Sequence, residues 1–153
     1  MLKITANDIF IDMNDSGFLY SHDQMYNTYP VVFATVTFTL AATDNLYQMA
    51  DELMRQENDG YYTDEEIDDM CYDFYISVND LPDCKIDNGI TVFDEGGGML
   101  GYIDLTNEER EMVYDCINQQ CIDIIGKDCN ELLAESKKEM LSYFEYLDNY
   151  KEG

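Results

Sequence analysis

The side chains with the clearest chemical character are the carboxylates between Asp51 and Asp73. This stretch holds ten of them against one cation, Arg55. They are Asp51, Glu52, Glu57, Asp59, Asp64, Glu65, Glu66, Asp68, Asp69 and Asp73. One arginine cannot neutralise this charge, so solvent and counterions or a basic partner must do so. The chemistry that these residues offer is the binding of a positively charged surface.

A second set of oxygen ligands, Asp12, Asn14, Ser16 and Asp23, follows the spacing of a calcium loop. The segment from Asp12 to Asp23 resembles the loop of EF-hand proteins, and the resemblance implies that these four residues would hold Ca²⁺. The last position is an Asp where that family uses a longer Glu, and Pro30 blocks the helix that should follow. We expect an ordinary turn without metal, with a small calcium-binding protein as an alternative.

Other reactive residues give weak signals. Residues 96–101 satisfy G-x-G-x-x-G, but a predicted strand follows them where a nucleotide site needs a helix. His22 is the only histidine, and no serine lies in a nucleophile elbow. The five cysteines have neither disulfide-framework nor zinc spacing, and Cys71, Cys116 and Cys121 fall on predicted apolar helix faces. We expect no enzyme activity and no cofactor.

The elements that must position these residues can be predicted from apolar periodicity and turn signals. Apolar runs at 2–13 and 18–21 flank a turn at 14–17, which predicts an N-terminal hairpin, followed by a loop at 22–29. Residues 30–41 alternate Val, Phe and Leu with Thr and predict a long strand. A meander is expected at about 84–105, with a hairpin turn at Asp87-Asn88-Gly89 and a reversal at residues 96–98.

Helices are predicted from caps and the 3.6-residue period. They run from 43 or 44 to 57, from 63 to 81, from 106 to 126, and from about 130 to 150. Phe74, Ile76 and Val78 also alternate, so the last third of the second helix could be strand. The expected fold is one α+β domain over residues 1–153, an antiparallel sheet packed against about four helices.

If residues 63–81 form one helix, it fixes the six carboxylates from Asp64 to Asp73 along about 15 Å, at 1.5 Å per residue. That density approaches the charge per unit length of duplex DNA. We expect the partner-binding surface to combine these and further carboxylates with nearby tyrosines. It comprises Asp59, Asp64, Glu65, Glu66, Asp68, Asp69, Asp73, Tyr61, Tyr62, Tyr72, Asp94, Glu95, Glu108 and Glu109.

The whole chain is strongly acidic, with 33 acidic and 8 basic side chains and a net charge of −25. Residues 1–126 carry 26 acidic against 4 basic groups, a net of −22. Direct binding to nucleic acid or to an anionic membrane is disfavoured by this charge. The N-terminus has no apolar run typical of a signal peptide and the cysteine pattern suits a reducing cytosol, so we expect a cytoplasmic protein.

In size, acidity and lack of catalytic signature the chain resembles the DNA mimics of phages and mobile elements, the anti-CRISPR and antirestriction proteins. The resemblance is compositional and rests mainly on residues 44–115. It implies an inhibitor whose partner is a basic nucleic-acid-binding protein such as a CRISPR effector nuclease. An immunity protein or antitoxin for a basic nuclease toxin is the alternative that uses the same physics.

Overall fold

The computed structural model of the chain describes residues 3–12, 18–25, 31–57, 60–81, 84–135 and 138. Its centre is a six-stranded antiparallel sheet in the order β1-β2-β3-β5-β6, with β4 also paired to β3. The strands are β1 (Phe18–Met25), β2 (Val31–Leu40), β3 (Tyr72–Leu81), β4 (Cys84–Ile86), β5 (Gly89–Asp94) and β6 (Met99–Asp104).

Four α-helical segments occur within the described residues. They are α1 (Asp44–Glu57), α2 (Asp64–Asp68), α3 (Asn107–Ile125) and a further segment at 129–135. The chain is therefore α+β, as predicted. In the described part of the chain, no helix combines the length and apolar character needed to cross a membrane.

The core lies on one face of the sheet, because the buried apolar residues described in β2, β3 and β5 lie at alternate positions. The sheet contributes Val36, Phe38, Leu40, Phe74, Ile76, Val78, Ile90 and Val92, all at most 2% exposed. Helix α1 covers them with Leu46, Ala50 and Met54, and α3 with Val113, Ile117 and Cys121. Both long helices therefore pack on the same face of the sheet.

The predicted strand at 30–41 and the two long helices are confirmed, because each has one unambiguous period and a clear boundary signal. In α3, Thr106 and Glu109 form the predicted capping box, and Gly126 ends the helix at φ +72°. That left-handed conformation favours glycine. The reversal at residues 96–98 is also confirmed, since it joins β5 to β6.

The predicted N-terminal hairpin is wrong. Strand β1 pairs with β2 rather than with residues 2–13, and it continues to Met25 through part of the predicted loop. The segment before it uses its backbone elsewhere: Ile11 bridges Leu40, and the Ile11 amide donates to Gln120 Oε1 at 2.8 Å. Those contacts satisfy the groups that a hairpin would have paired. The predicted turn at 14–17 lies outside the described residues.

The predicted helix at 63–81 is wrong beyond residue 68. Helix α2 has five residues, Asp69 is its C-cap, and the chain enters β3 at Tyr72. From Tyr72 to Val78, buried residues alternate with half-buried ones. These aromatic and β-branched side chains suit a pleated surface, and their period of two overrides the helical spacing.

The predicted hairpin turn at Asp87-Asn88-Gly89 is also wrong, because β4 and β5 both pair with β3 and run in the same direction. Asp87 spans the break between them. Its backbone amide donates to Ser77 O at 3.0 Å, and its carboxylate accepts from the Ser77 amide at 2.9 Å. The side chain thus replaces a carbonyl of the ladder. Of the predicted helix at about 130–150, only residues 130–135 and 138 lie within the described chain.

Candidate functional site

Helix α2 carries the densest group of predicted site residues. Thr63 caps it, accepting from the Glu66 amide at 3.1 Å, while Glu66 Oε1 accepts from the Thr63 amide at 3.2 Å. Because the helix ends at Asp68 and Asp73 lies in β3, the six carboxylates from Asp64 to Asp73 do not form one helical row. The expected geometry of that row is wrong.

Arg55, in the last turn of α1, forms ion pairs with α2. Its guanidinium donates to Asp64 Oδ1 at 3.0 Å and, through the other terminal nitrogen, to Asp68 Oδ1. These groups are exposed, so the pair contributes at most about 1 kcal/mol. Glu65 and Asp69 are exposed and form no side-chain hydrogen bond or ion pair within the described chain.

Strand register brings further carboxylates to the same end of the sheet as α2. Tyr72 pairs with Asp94, and Asp73 pairs with Phe93, so β3 begins where β5 ends. Glu57 reaches this end from α1, since its Oε2 lies 3.9 Å from the point that a Cβ would occupy if Gly101 in β6 carried a side chain. We call this group the acidic end; it comprises Glu57, Asp64, Glu65, Glu66, Asp68, Asp69, Asp73, Asp94 and Glu95.

Asp94 has a structural function within the acidic end. Its Oδ1 accepts from the Gly98 amide at 2.8 Å, and its backbone amide donates to Gly98 O at 2.9 Å. Gly97, at φ +83°, completes the turn. Strand β6 follows at once, so these glycines do not face a helix N-terminus as a dinucleotide site requires.

Two tyrosines expected at the partner surface lie beside the acidic end. Tyr61 is 81% exposed and meets half-buried Tyr62 edge to face, with ring centroids 4.8 Å apart. Together with Leu53 and Met99 they line a cleft of about 230 Å³. Met99 is itself 55% exposed. The acidic end therefore has an apolar and aromatic patch at its border.

Tyr72 is not available to a partner, in contrast to the sequence prediction. It is 3% exposed, and its hydroxyl donates to Asp51 Oδ1 at 2.7 Å. Its ring packs edge to face against Tyr47, with centroids 4.8 Å apart. Burial, followed by the hydrogen bond to Asp51, raises the pKa of Tyr72. Tyr72 and Asp51 therefore attach α1 to the sheet.

Glu108 and Glu109 are not part of the acidic end. They lie in the first turn of α3, after β6, whose last residue Asp104 pairs with Gly89 at the start of β5. The length of β5, about 17 Å at 3.4 Å per residue, separates the two ends. Glu109 Oε1 instead accepts from the Thr106 amide at 2.9 Å. Asp59 lies outside the described residues.

The calcium interpretation of residues 12–23 does not match the architecture. An EF-hand loop leads into a helix, whereas Asp23 lies within strand β1 and Asp12 donates its amide to Thr39 O at 2.8 Å. Asn14 and Ser16 lie outside the described residues. Within the described residues, no group of three or more His, Cys, Asp or Glu side chains could hold a metal ion.

The cysteines differ in exposure. Cys121 and Cys129 are buried, and interaction with the Cys121 thiol, together with burial, raises the pKa of Cys129. Burial also raises the pKa of the Cys116 thiol. Cys71 is exposed between α2 and β3, so its predicted position on an apolar helix face is wrong.

Sequence analysis missed a cleft of about 660 Å³ on the face of the sheet opposite the core. Tyr75 and Phe93 form its aromatic part, with centroids 5.2 Å apart and ring planes at 87°. Thr37 and Ser77 lie beside them and share a hydrogen bond of 2.7 Å. The alternation of apolar residues in 72–78 indicated a strand with two faces. The predicted helix instead placed Tyr75 and Ser77 on different sides.

The arrangement as a whole suits binding through charge and aromatic contact. It places carboxylates from several segments at one end of the sheet, with exposed rings on one side and an open cleft on the other. No protein family, curated protein or solved structure matches the chain.

Proposed function

We propose that the protein inhibits a DNA-cleaving defence nuclease by placing its acidic end in the cleft that binds DNA. The observation that carries this proposal is the convergence of nine carboxylates from α1, α2, β3 and the β5–β6 segment beside exposed Tyr61 and half-buried Tyr62. The partner class is a basic nucleic-acid-binding protein, in particular an RNA-guided effector of the bacterial cytoplasm, as for anti-CRISPR proteins.

The charge of the acidic end matches what such a cleft recognises. A DNA-binding cleft presents Lys and Arg side chains to phosphate oxygens, and carboxylates accept the same charge-assisted hydrogen bonds. A net charge of −25 also steers the protein towards a positive surface and accelerates association. The same charge repels DNA itself.

The aromatic border supports a protein partner rather than a small cation. Tyr and Met are enriched in the cores of protein interfaces, where they fill pockets and exclude water. Tyr61 and Met99 are large, exposed and close to Glu57. Contact there would bury an apolar patch beside the carboxylates.

The contacts of α2 reduce the conformational entropy that the protein loses on binding. The capping box fixes the start of α2, and the Arg55 guanidinium joins α2 to α1. A surface that is ordered before binding loses less conformational freedom on association. In this proposal, carboxylates held in fixed positions by several segments imitate the charge of DNA. They need not lie along one continuous helix.

The experiment adds the protein to a panel of purified, guide-loaded DNA-cleaving effectors and measures DNA binding and cleavage. We expect DNA binding by at least one effector to disappear at a one-to-one ratio. The variant Glu65→Gln/Glu66→Gln removes two charges from the first turn of α2 while retaining the capping interaction. It should weaken inhibition about tenfold or more.

The matched control is Glu108→Gln/Glu109→Gln, which removes two charges from the equivalent positions of α3. Both pairs follow a threonine cap and occupy the second and third helical residues. The control should inhibit like the unmodified protein. The proposal fails if no effector loses DNA binding, or if both double variants weaken inhibition equally.

A further inference from the structure

The open face of the sheet carries an aromatic ring and a carboxylate as direct neighbours. Asp73 and Phe93 are opposite each other in the β3–β5 ladder, and directly paired side chains lie about 4.5–5.5 Å apart at Cβ. The rings of Tyr75 and Phe93 are nearly perpendicular, with centroids 5.2 Å apart. We call the space lined by these residues, Thr37, Ser77 and Glu95 the sheet cleft.

We propose that the sheet cleft binds an arginine side chain of the partner protein. This inference rests on the proposed function and names the part of the partner that this face recognises. A guanidinium stacked on Phe93 would lie within reach of the Asp73 carboxylate beside the ring. Arginine suits this pair of groups because it is planar, stacks on aromatic rings and donates to carboxylates through two nitrogens.

The charge of the cleft favours such an occupant over a phosphate. The floor includes Thr91 as well as Thr37 and Ser77, whose hydroxyl oxygens share a hydrogen bond of 2.7 Å. Asp73 and Glu95 give the walls negative charge, which excludes anions. The volume of about 660 Å³ is in the range of pockets that hold small organic groups.

The cleft is also continuous with the acidic end, because Asp73 and Glu95 belong to both. A basic surface that covers α2 would therefore bring its own side chains to the sheet cleft. Lysine carries the same charge, but its compact ammonium cannot stack or form the planar fork. Tighter binding of arginine than of lysine would therefore indicate recognition by the sheet cleft. Equal binding would indicate only electrostatic attraction to the carboxylates.

The test is calorimetric titration of the full protein with two capped peptides, tri-arginine and tri-lysine, at equal ionic strength. We expect the arginine peptide to bind at least about threefold more tightly. Phe93→Leu and, separately, Asp73→Asn should each remove this ratio. Thermal unfolding by circular dichroism verifies that each variant folds, and the two substitutions perturb the fold in different ways.

The matched control is Glu65→Gln/Glu66→Gln, which should weaken both peptides equally and keep their ratio. Equal affinity of the unmodified protein for the two peptides would overturn the proposal, as would an unchanged ratio in both folded cleft variants. No nuclease is present, so the result is separate from the inhibition assay. Inhibition that persists without arginine discrimination would contradict the sheet cleft alone, whereas discrimination without inhibition would contradict the proposed function alone.

Discussion

Individual carboxylates in this protein have two different uses, and their contacts separate them. Asp51 accepts a hydrogen bond from the Tyr72 hydroxyl, and Glu66 accepts one from the amide of the α2 cap residue. Asp94 accepts one from the Gly98 amide in the β5–β6 turn. Glu65 and Glu95 are exposed and have no side-chain hydrogen bond or ion pair within the described chain. The first group stabilises the fold, and the second contributes charge that the fold does not use.

Tyr72→Phe tests the first use. It removes the Tyr72 hydroxyl, which donates to Asp51 Oδ1. We expect the free energy of unfolding at pH 7 to fall by about 1–2 kcal/mol. The raised pKa of Tyr72 means that the folded protein keeps this proton where the unfolded chain loses it. That contribution is complete below about pH 10 and is lost as the pH rises through the folded-state pKa.

The variant should therefore lose stability less steeply than the unmodified protein above about pH 10. Urea unfolding followed by circular dichroism from pH 7 to 11 measures both effects. Tyr61→Phe is the control, since this ring is 81% exposed and its change should be within about 0.5 kcal/mol. Equal stability losses for the two variants at pH 7 would contradict the role of the Asp51 contact.

At the scale of elements, sequence predicts those whose local pattern and tertiary environment agree. Helices α1 and α3 have apolar stripes, and β2 alternates threonines with buried apolar residues from Thr35 to Leu40. The end of α2 could not be predicted in the same way, because residues 67–78 satisfy a helical period over their first part and a period of two over their second. Pairing with β2 and β5 decides between them, and that is a non-local interaction.

The candidate site was predictable to a similar extent. The exposure of the α2 carboxylates and of Tyr61 could be expected from sequence, since it does not depend on strand order. The sheet cleft could not be predicted, because Tyr75 and Phe93 come together only through the register between β3 and β5. Tyr72 was misassigned for the same reason: its position in β3 directs it to the core.

Asp87→Ala tests how the interrupted strand β4–β5 is held to β3. The substitution leaves the Ser77 amide without its acceptor and removes the 3.1 Å contact to Asn79. We expect a loss of about 1–3 kcal/mol in the free energy of unfolding and faster hydrogen exchange at the Ser77 amide. Asp87→Asn keeps an acceptor oxygen and should lose less. Unchanged exchange at Ser77 in the alanine variant would contradict this account of the junction.

At the scale of the whole molecule, charge is the dominant feature. Within the described residues three salt bridges occur, and they use Arg55 and Lys127. Against a net charge of −25 they offset little, so self-repulsion opposes the compact state. The fold tolerates this because its core is continuous across the sheet, α1 and α3. A protein that keeps such a surface at a cost in stability is suited to a partner of opposite charge.

The most direct test of the acidic end is the salt dependence of binding to an effector that the protein inhibits. Affinity is measured between about 50 and 500 mM NaCl for the unmodified protein, Glu65→Gln/Glu66→Gln and Glu108→Gln/Glu109→Gln. Screening should weaken all three, since the contact is electrostatic. We predict a shallower dependence of log K on log salt for the α2 variant and an unchanged slope for the α3 variant. Identical slopes for all three proteins would contradict the claim that the acidic end enters the partner's cleft.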